Sequence, residues 1–252
     1  MVVEGRFEGR VAVVTGAGSG LGRATARRLA SEGATVACLD VNEVTLDATL
    51  KDLMAARLRV RAYPCDVGDP ASVEATMAAV LSDADRLDVL CNVAGIGLFS
   101  RTTELSYEDW SRVLAVNLTG PFLTCRAALP HLEKSGGNIV NVASDAGTMG
   151  LPFAAPYSAS KGGLVMLTKS LAVEFIGRGV RVNVVSPGGM NTEMLSSWRL
   201  PENESLAMMR RFSTPSGTGD PEDVAGVIAF VASDDAKRIT GAVIPADGGS
   251  TA

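Results

Sequence analysis

The chain has 252 residues and a formal net charge of −5 at pH 7, with acidic and basic residues mixed along its length. One α/β domain of this size can bury a substantial core, and no linker, repeat or low-complexity block divides residues 1–252. Because no basic stripe or polybasic patch is present, we expect neither nucleic-acid nor membrane partners. No uncharged apolar run reaches the roughly 18 residues of a spanning helix, and Met1 to Arg10 lacks an apolar signal core, so we expect a cytoplasmic protein.

The cysteine and histidine content argues against a metal site. The four cysteines show no paired spacing, and the chain has one histidine, His131, so a zinc constellation cannot be assembled. We therefore predict no metal, and we predict that Cys38, Cys65, Cys91 and Cys125 are reduced, buried thiols.

Strand-like and helical patterns alternate along the chain. The β-branched run 11–15 is followed by glycines, by a helical pattern over 21–32 and by a second strand-like run over 35–39, which together predict a βαβ unit. Further strand-like runs lie at 59–63, 87–91, 138–142, 181–185 and 242–245, and helical patterns lie near 43–57, 70–83, 106–133, 156–177 and 221–233. This alternation predicts a parallel sheet covered on both faces, with ligands bound beyond the carboxyl ends of the strands.

The loop after the first strand has the composition of a phosphate cradle. Glycines let the backbone approach a pyrophosphate closely, and the N-terminus of the following helix offers free N–H donors. The glycines are shifted from the common first, third and sixth positions, because Leu21 and Arg23 stand where the last one would be. The alternative interpretation is a plain turn. The residues predicted to bind a dinucleotide here are Gly16, Ser19, Gly20, Leu21 and Gly22.

Asp40 ends the second strand, about 20 residues beyond this loop, where a carboxylate can accept hydrogen bonds from an adenosine ribose. A carboxylate repels the 2′-phosphate of NADP, and the neighbouring Ser19 and Val41 carry no positive charge that would attract it. The sequence therefore favours NAD as the cofactor over NADP. The alternative is a solvated strand-end carboxylate or a helix cap.

Tyr157 and Lys161 lie four residues apart in a helical pattern, so they share one helix face. The ammonium could lower the pKa of the phenol from its usual value of about 10 and let Tyr157 exchange protons near neutrality. Such a pair can also be an ordinary surface or core-edge contact. Ser144 follows the fifth strand, at the sheet end where a substrate oxygen could sit between it and Tyr157, and it would orient and polarise that oxygen.

An ordered set of motifs extends from the first strand to residue 249. The set consists of Thr15-Gly16-x-x-x-Gly20-x-Gly22, Asn92-Val93-Ala94-Gly95, Ser144, Tyr157-x-x-x-Lys161, Pro187-Gly188 and Asp247-Gly248-Gly249. With this set the chain resembles the short-chain dehydrogenase/reductase family. The resemblance implies a doubly wound Rossmann fold, with a seven-stranded parallel sheet and helices on both faces. It also implies a catalytic tetrad, which consists of Asn117, Ser144, Tyr157 and Lys161.

The resemblance further implies roles for these residues. Tyr157 would be the acid/base, Lys161 would hydrogen-bond the nicotinamide ribose, and Asn117 would hold a water in a proton relay through Lys161. Pro121 removes the backbone donor that would face the carbonyl of Asn117, so we expect a local distortion of that helix. The further cofactor contacts that the resemblance implies are Asp66, Val67, Asn92, Gly95, Pro187, Gly188 and Thr192, beside Tyr157 and Lys161.

Residues 190–215 are predicted to form a lid over the substrate. The segment and the loops nearer the tetrad are rich in methionine, leucine and aromatic residues, which predicts a largely apolar pocket; packing of an amphipathic lid helix is the alternative. Arg199, Arg210 and Arg211 could grip a carboxylate or phosphopantetheine tail, or simply be solvated. The substrate-pocket residues predicted on this basis are Met149, Phe153, Met194 and Trp198.

Three functions remain open on these grounds. The favoured one is an NAD-dependent oxidoreductase that interconverts a small or medium, mostly apolar secondary alcohol and a ketone. The alternatives are a 3-oxoacyl thioester reductase, acting on acyl carrier protein or CoA, and a dinucleotide-binding module without turnover. The family resemblance also implies a homotetramer, with the helices near 106–133 and 156–177 paired across one interface and Gly162, Gly163 and Ser170 permitting close approach.

Overall fold

A computed structural model describes residues 2–202, 204 and 217–252. Within these residues seven strands form one parallel sheet in the order β3-β2-β1-β4-β5-β6-β7. The strands are β1 Val11–Thr15, β2 Thr35–Asp40, β3 Val60–Pro64, β4 Val89–Asn92, β5 Asn138–Val142, β6 Arg181–Pro187 and β7 Val243–Ala246. Because the strand order reverses between β1 and β4, the sheet is doubly wound, and the predicted Rossmann fold is confirmed.

Helices connect the strands and cover both faces of the sheet. In the described part of the chain they are α1 Gly20–Ser31, α2 Glu43–Ala55, α3 Pro70–Asp83, α4 Tyr107–Leu114, α5 Gly120–Ser135, α6 Ala146–Met149, α7 Ala155–Phe175, α8 Glu193–Ser197 and α9 Pro221–Ala232. Single turns of 3₁₀ helix follow at Ile176–Arg178 and Asp234–Ala236. None of the helices in these described ranges is both long enough and apolar enough to cross a membrane.

Two apolar cores sandwich the sheet, and the alternation of side chains along β1 separates them. Ala12 and Val14 pack into a core built with α1, α2 and α9, whereas Val13 packs into a second core built with α3, α5 and α7. Strands covered on both faces have apolar residues at successive positions, which explains the near-continuous hydrophobic run of β1. All four cysteines are free and buried in these cores, as predicted.

The helical pattern predicted over 106–133 is divided by a π-helical turn, Ala115–Thr119, between α4 and α5. Pro121 has no N–H that could donate to the carbonyl oxygen of Asn117 four residues earlier. The backbone there forms hydrogen bonds between residues five apart, as in the bond from Gly120 N to Ala115 O, which is the π-helical pattern. The expected distortion at Asn117 is thus confirmed. The turn brings the wholly buried side chain of Asn117 beneath the end of β4.

The glycine pair at the start of α7 packs within its own chain. A β-carbon at Gly163 would lie 2.9 Å from Leu118 Cδ2, and one at Gly162 would lie 3.1 Å from the carbonyl oxygen of Gly147. Close approach of α6 and of the π-helical turn therefore explains both glycines. Close approach of a partner helix at Gly162, Gly163 and Ser170 stays a prediction.

Candidate active site

A cleft of about 510 Å³ opens at the carboxyl ends of the strands, where ligands bind in doubly wound sheets. Loops that follow β1, β2, β3, β4, β5 and β6 all contribute to its wall, together with the start of α7. The predicted residues among those that line it are Gly16, Ser19, Gly20, Leu21, Gly22, Asp40, Asp66, Val67, Gly95, Ser144, Tyr157, Lys161, Pro187, Gly188, Thr192 and Met194.

The glycine loop is folded so tightly that side chains would not fit its turn. Gly16 has φ of +70°, and a β-carbon there would lie 2.8 Å from Ala94 Cα. A β-carbon at Gly22 would lie 1.8 Å from the carbonyl oxygen of Gly16. With no side chains in the way, the loop presents backbone N–H groups and the N-terminus of α1 to the cleft, so its shape fits a dinucleotide pyrophosphate.

Asp40 is held at the rim of this loop by two backbone donors. Its Oδ2 accepts a hydrogen bond from Gly18 N at 2.8 Å, and its Oδ1 accepts one from Asn42 N at 2.9 Å. A β-carbon at Gly18 would lie 2.9 Å from the carboxylate, so the loop and the carboxylate touch. Among the described residues no lysine or arginine forms an ion pair with Asp40, and it faces the cleft with its negative charge.

The side chain of Asn92 does not line the cleft, which corrects the prediction. It is buried, its Nδ2 donates to Asn141 Oδ1 at 2.9 Å, and its Oδ1 accepts a hydrogen bond from the Thr124 hydroxyl at 2.7 Å. Asn141 in turn donates to the Thr168 hydroxyl, so a polar network joins β4 and β5 to α5 and α7. The residues after Asn92, from Val93 to Gly95, form the cleft wall instead.

Ser144, Tyr157 and Lys161 meet at one end of the cleft. Ser144 follows β5, and Tyr157 and Lys161 lie one helical turn apart on α7, all three being buried. Lys161 Nζ donates to the carbonyl oxygen of Val142 at 2.8 Å and lies 5.7 Å from the centre of the Tyr157 ring. The Lys161 amine is therefore anchored to the end of β5, within reach of the phenol's electrostatic field.

Burial shifts the pKa values of both side chains on α7 toward their neutral forms. Desolvation raises the pKa of Tyr157 to about 12; a hydrogen bond with Ser144 opposes the rise, and the negative charge of Asp145 adds to it. Desolvation also lowers the pKa of Lys161 to about 8. Desolvation is the largest influence on the pKa of Tyr157 in this structure, and it acts against the lowering that is expected from Lys161.

Asn117 holds the loop after β4 against α7. Its Oδ1 accepts a hydrogen bond from Ile96 N at 2.8 Å, and its Nδ2 donates to Ile96 O at 2.9 Å and to the Ser160 hydroxyl at 3.1 Å. The loop carrying Gly95 is thereby held close to Lys161, whose Nζ would lie 3.4 Å from a β-carbon at Gly95. The proton relay through Asn117 stays a prediction.

An aromatic wall closes the cleft beside the phenol. Trp198 packs edge-on against Tyr157, with ring centres 5.3 Å apart, and Phe99 packs against Trp198 at 4.6 Å. Gly97 makes room for the indole, since a β-carbon there would lie 2.2 Å from Trp198 Cζ2. Leu151 completes this apolar cluster. Trp198 thus packs against the phenol and Met194 lines the cleft, and their roles as substrate-pocket residues stay predictions.

Met149 and Phe153 are neither among the cleft-lining residues nor in the cluster around Tyr157, which corrects their prediction as pocket residues. Met149 ends α6. Phe153 has φ of +60°, and its carbonyl accepts a hydrogen bond from Ser100 N, so it shapes the turn ahead of α7. Of the predicted lid, α8 lies within the described residues. The predictions for Arg210 and Arg211, and for the rest of the lid at 203 and 205–215, lie outside the described residues.

Phe99 and Asp145 are among the residues of the site that were not predicted from the sequence. Phe99 lies in a long loop without periodicity, so nothing in the pattern indicates which way it faces. Asp145 is buried beside Ser144 and contacts Ser250, which is 105 residues away in sequence. Only its position directly after Ser144 could have drawn attention to it.

Comparisons with known proteins agree with this architecture. A family model described as enoyl-(acyl carrier protein) reductase matches residues 16–251. D-threitol dehydrogenase of Mycolicibacterium smegmatis is 42% identical over 249 residues, covering 98% of this chain and 94% of the relative. Meso-2,3-butanediol dehydrogenase of Serratia marcescens is 42% identical over 251 residues, covering 98% and 96%. The crystal structure of a 3-ketoacyl-(acyl-carrier-protein) reductase from Brucella melitensis, complexed with NADH, is 33% identical with a TM-score of 0.88 over 98% of this chain and 100% of that one.

The doubly wound sheet, the glycine loop and the matched relatives define an oxidoreductase of the class that binds a nicotinamide dinucleotide. The chain belongs to the short-chain dehydrogenase/reductase family.

Proposed function

We propose that this protein is an NAD-dependent oxidoreductase that interconverts a secondary alcohol and a ketone, with Tyr157 as the acid/base. One observation carries the proposal. Ser144, Tyr157 and Lys161 converge at one end of the cleft that the glycine loop and Asp40 also line. Proton-transfer groups and a dinucleotide cradle thus share one cavity, which is the arrangement that hydride-transfer chemistry needs.

When bound, the dinucleotide supplies or accepts the hydride, and the side chains manage the proton. Because the pKa of Tyr157 lies at about 12, the phenol is protonated near neutral pH and can donate to a carbonyl oxygen. The phenolate that remains lies near the Lys161 amine, which in its protonated form stabilises that charge. Trp198 packs edge-on against the phenol ring, with Phe99 against Trp198, and this aromatic packing limits the access of water to the phenol.

The preference for NAD rests on the carboxylate of Asp40. It faces the cleft without a cationic partner among the described residues, and the side chain that follows it, Val41, is uncharged and exposed. The carboxylate would repel the 2′-phosphate of NADP, whereas the free 2′-hydroxyl of NAD can donate a hydrogen bond to it. The Brucella melitensis reductase complexed with NADH is consistent with this reading.

The proposed substrate is a small or medium secondary alcohol or its ketone. The names of two relatives describe dehydrogenases of D-threitol and of meso-2,3-butanediol, which are small molecules with neighbouring hydroxyl groups. The aromatic wall of Phe99 and Trp198 limits the space beside the phenol and supports the same size class.

A 3-oxoacyl thioester reductase is the second candidate, favoured by the similarity to the Brucella melitensis enzyme. Because that structure is complexed with NADH, a preference for NADH does not by itself separate the two candidates. Direct comparison of 3-oxoacyl thioesters with short ketones as substrates does separate them. A higher kcat/KM on the thioester would replace the favoured proposal by this one.

Replacement of the phenol tests the proposal directly. A screen of secondary alcohols and ketones, followed at the NADH absorbance with NAD and NADP in parallel, identifies a substrate pair. Tyr157→Phe should then lower kcat by about 10³-fold or more, since the acid/base is removed, while NADH affinity measured by fluorescence titration changes little. Tyr63→Phe, which loses a hydroxyl bonded to Asp83 outside the cleft, is the control and should keep full activity. Near-normal turnover by Tyr157→Phe would refute the acid/base assignment.

We also propose, from the family resemblance, that the protein is a homotetramer. The exposed side of α5 and α7 carries apolar side chains, among them Phe122, Met166 and Val173. Exposed apolar clusters of this kind mark protein interfaces. The cytoplasmic location stays a prediction.

A further inference from the structure

The indole of Trp198 is enclosed by side chains from separate parts of the chain. It packs edge-on against Tyr157 on α7, with ring centres 5.3 Å apart, and against Phe99 of the loop after β4, with ring centres 4.6 Å apart. Leu151, which precedes α7, belongs to the same apolar cluster. Tyr157 lines the open cleft, whereas Trp198, Phe99 and Leu151 do not. The indole therefore fills the space beside the phenol where the cleft ends.

Gly97 leaves open the space that this indole occupies. A β-carbon at Gly97 would lie 2.2 Å from Cζ2, 2.6 Å from Cε2 and 2.7 Å from Nε1 of Trp198, so the ring lies directly against the glycine backbone. These three atoms belong to a rigid ring, and a side chain at position 97 would force the whole ring to move. Gly97 and Trp198 are therefore complementary in shape.

The indole is held by packing and not by a hydrogen bond from its ring. Nε1 is buried and has no acceptor within the described part of the chain. The backbone on both sides is anchored: Trp198 N donates to Leu195 O at 3.3 Å, and Arg101, four residues after Gly97, donates through Nε to Glu204 Oε1 at 3.0 Å. The volume of the indole, and not its N–H group, thus closes this end of the cleft.

A ketone that takes a proton from Tyr157 places its carbonyl carbon beside the phenol and presents one face of that carbon to the dinucleotide. One of the two substituents on the carbon then extends toward the closed end of the cleft. We propose that Trp198, packed against Gly97, is the specificity-determining residue that limits this substituent to a small alkyl group. This inference rests on the proposed function, since it assigns the size of the substrate to one pair of residues.

The test compares two ketones that differ in their smaller substituent. The smaller substituent of 2-butanone is a methyl group, whereas 4-heptanone has a propyl group on both sides, so wild type should have the higher kcat/KM on 2-butanone. Trp198→Ala should raise the ratio of kcat/KM for 4-heptanone to kcat/KM for 2-butanone by at least about 10-fold, the effect of one methylene group in a filled apolar pocket. Trp198→Phe keeps an aromatic ring against Gly97 and should raise the ratio by less. Tyr107→Ala removes an aromatic side chain that is 77% exposed and outside the cleft, and it should leave the ratio unchanged.

Gly97→Ala tests the same contact from its other side. The added methyl group meets the rigid ring and displaces it within the enclosure formed by Tyr157 and Phe99, so kcat/KM for 2-butanone should fall by about 10-fold. In the double variant Gly97→Ala, Trp198→Ala the ring is absent. The methyl group should then lower kcat/KM by less than about 2-fold relative to Trp198→Ala, because residues in contact are coupled.

An unchanged ratio in folded Trp198→Ala would overturn the proposal, as would a rise in Trp198→Phe as large as that in Trp198→Ala. Equal losses from Gly97→Ala with and without the indole, or a wild type that reduces both ketones equally well, would also overturn it. If Trp198→Ala does not fold, Trp198→Phe and Gly97→Ala still test the contact: an unchanged ratio in the first, together with unchanged turnover of 2-butanone in the second, contradicts it. Wild type without turnover of any secondary alcohol or ketone would overturn the proposed function as well, whereas an active wild type with those contrary results would overturn the inference alone.

Discussion

The Lys161 side chain is buried, since only 3% of the residue is exposed to solvent. Burial lowers its pKa from 10.5 to about 8, so the folded state releases a proton more readily than the unfolded chain. Below pH 8 the amine is charged in both states and its desolvation opposes folding, and this penalty disappears as the pH rises toward 10.5. The residue thus lowers the stability of the protein at the pH where its charge is useful.

We expect Lys161→Met to be inactive yet more stable than wild type at pH 7. Lowering the pKa of Lys161 from 10.5 to about 8 corresponds to about 3 kcal/mol, from which loss of the hydrogen bond to Val142 subtracts about 1 kcal/mol. The expected gain is about 2 kcal/mol in the free energy of unfolding, measured in urea, and it should shrink between pH 8 and 10.5. Lys169→Met on the exposed side of the same helix is the control. A loss of stability at pH 7 would contradict the assigned cost of burial.

Asp40→Ala should narrow the preference for NAD over NADP by about 10-fold, measured as the ratio of kcat/KM values. The carboxylate accepts from Gly18 and Asn42 while facing the cleft, so its removal lifts the repulsion of a 2′-phosphate and loses a ribose acceptor. Asp47→Ala, an exposed position on α2, should leave the ratio unchanged. A wild-type enzyme that already prefers NADPH would show the argument from Asp40 to be wrong.

Sequence motifs predict a site residue correctly where the position of its side chain depends on a single strand end or helix. Ser144, Tyr157 and Lys161 reach the cleft because strand ends and helical spacing are local properties. Asn92 was misassigned, although strand alternation held the signal. Leu90, two residues earlier in β4, faces the core beside α5, so Asn92 must face the same side. The contact of Asp145 with Ser250 could not be predicted, because Ser250 comes from a distant part of the chain.

At the scale of elements, the glycine loop shows how closely a turn can be packed. Gly22→Ala should lower the free energy of unfolding by about 3 kcal/mol and abolish NADH binding, because its β-carbon would meet the carbonyl of Gly16, a backbone group with little freedom to move. Gly177→Ala, with nothing within 4 Å of its β-carbon, should change stability by less than about 1 kcal/mol. Urea unfolding and NADH fluorescence measure the two effects. Wild-type NADH affinity in Gly22→Ala would contradict this account of the loop.

Element types follow from the sequence, but boundaries depend on neighbours. β6 continues to Pro187, two residues past the predicted run, because β7 supplies a pairing partner there. The long pattern over 106–133 predicts one helix, and Pro121 indicates the break. The π-helical form of that break, however, is accompanied by a hydrogen bond from Ile96 N to the side chain of Asn117, a tertiary contact that periodicity does not contain.

At the scale of the whole molecule, the apolar face of α7 makes the proposed tetramer testable. Met166 and Val173 are 62% and 77% exposed and lie two helical turns apart on one face. The double variant Met166→Glu, Val173→Glu should dissociate the tetramer in sedimentation velocity, since an interface does not accommodate unpaired buried charge. Val44→Glu, at an equally exposed apolar position on α2, should leave the oligomer intact. Sedimentation of wild type as a monomer would refute the proposal.

The strand order also relates the site to the direction of protein synthesis. After β3, every strand joins the same growing edge of the sheet, beside the strand made just before it or, for β4, beside β1. The turn of Gly16 against Ala94, the contact that frames the dinucleotide cradle, therefore needs only the first 95 residues or so of the chain. Ser144, which follows β5, and Tyr157 and Lys161, which lie on α7, are synthesised later. Their strand and helix then pack against the part of the sheet that has already formed. A nascent chain can thus have its cofactor frame in place before the groups that move the proton have been made.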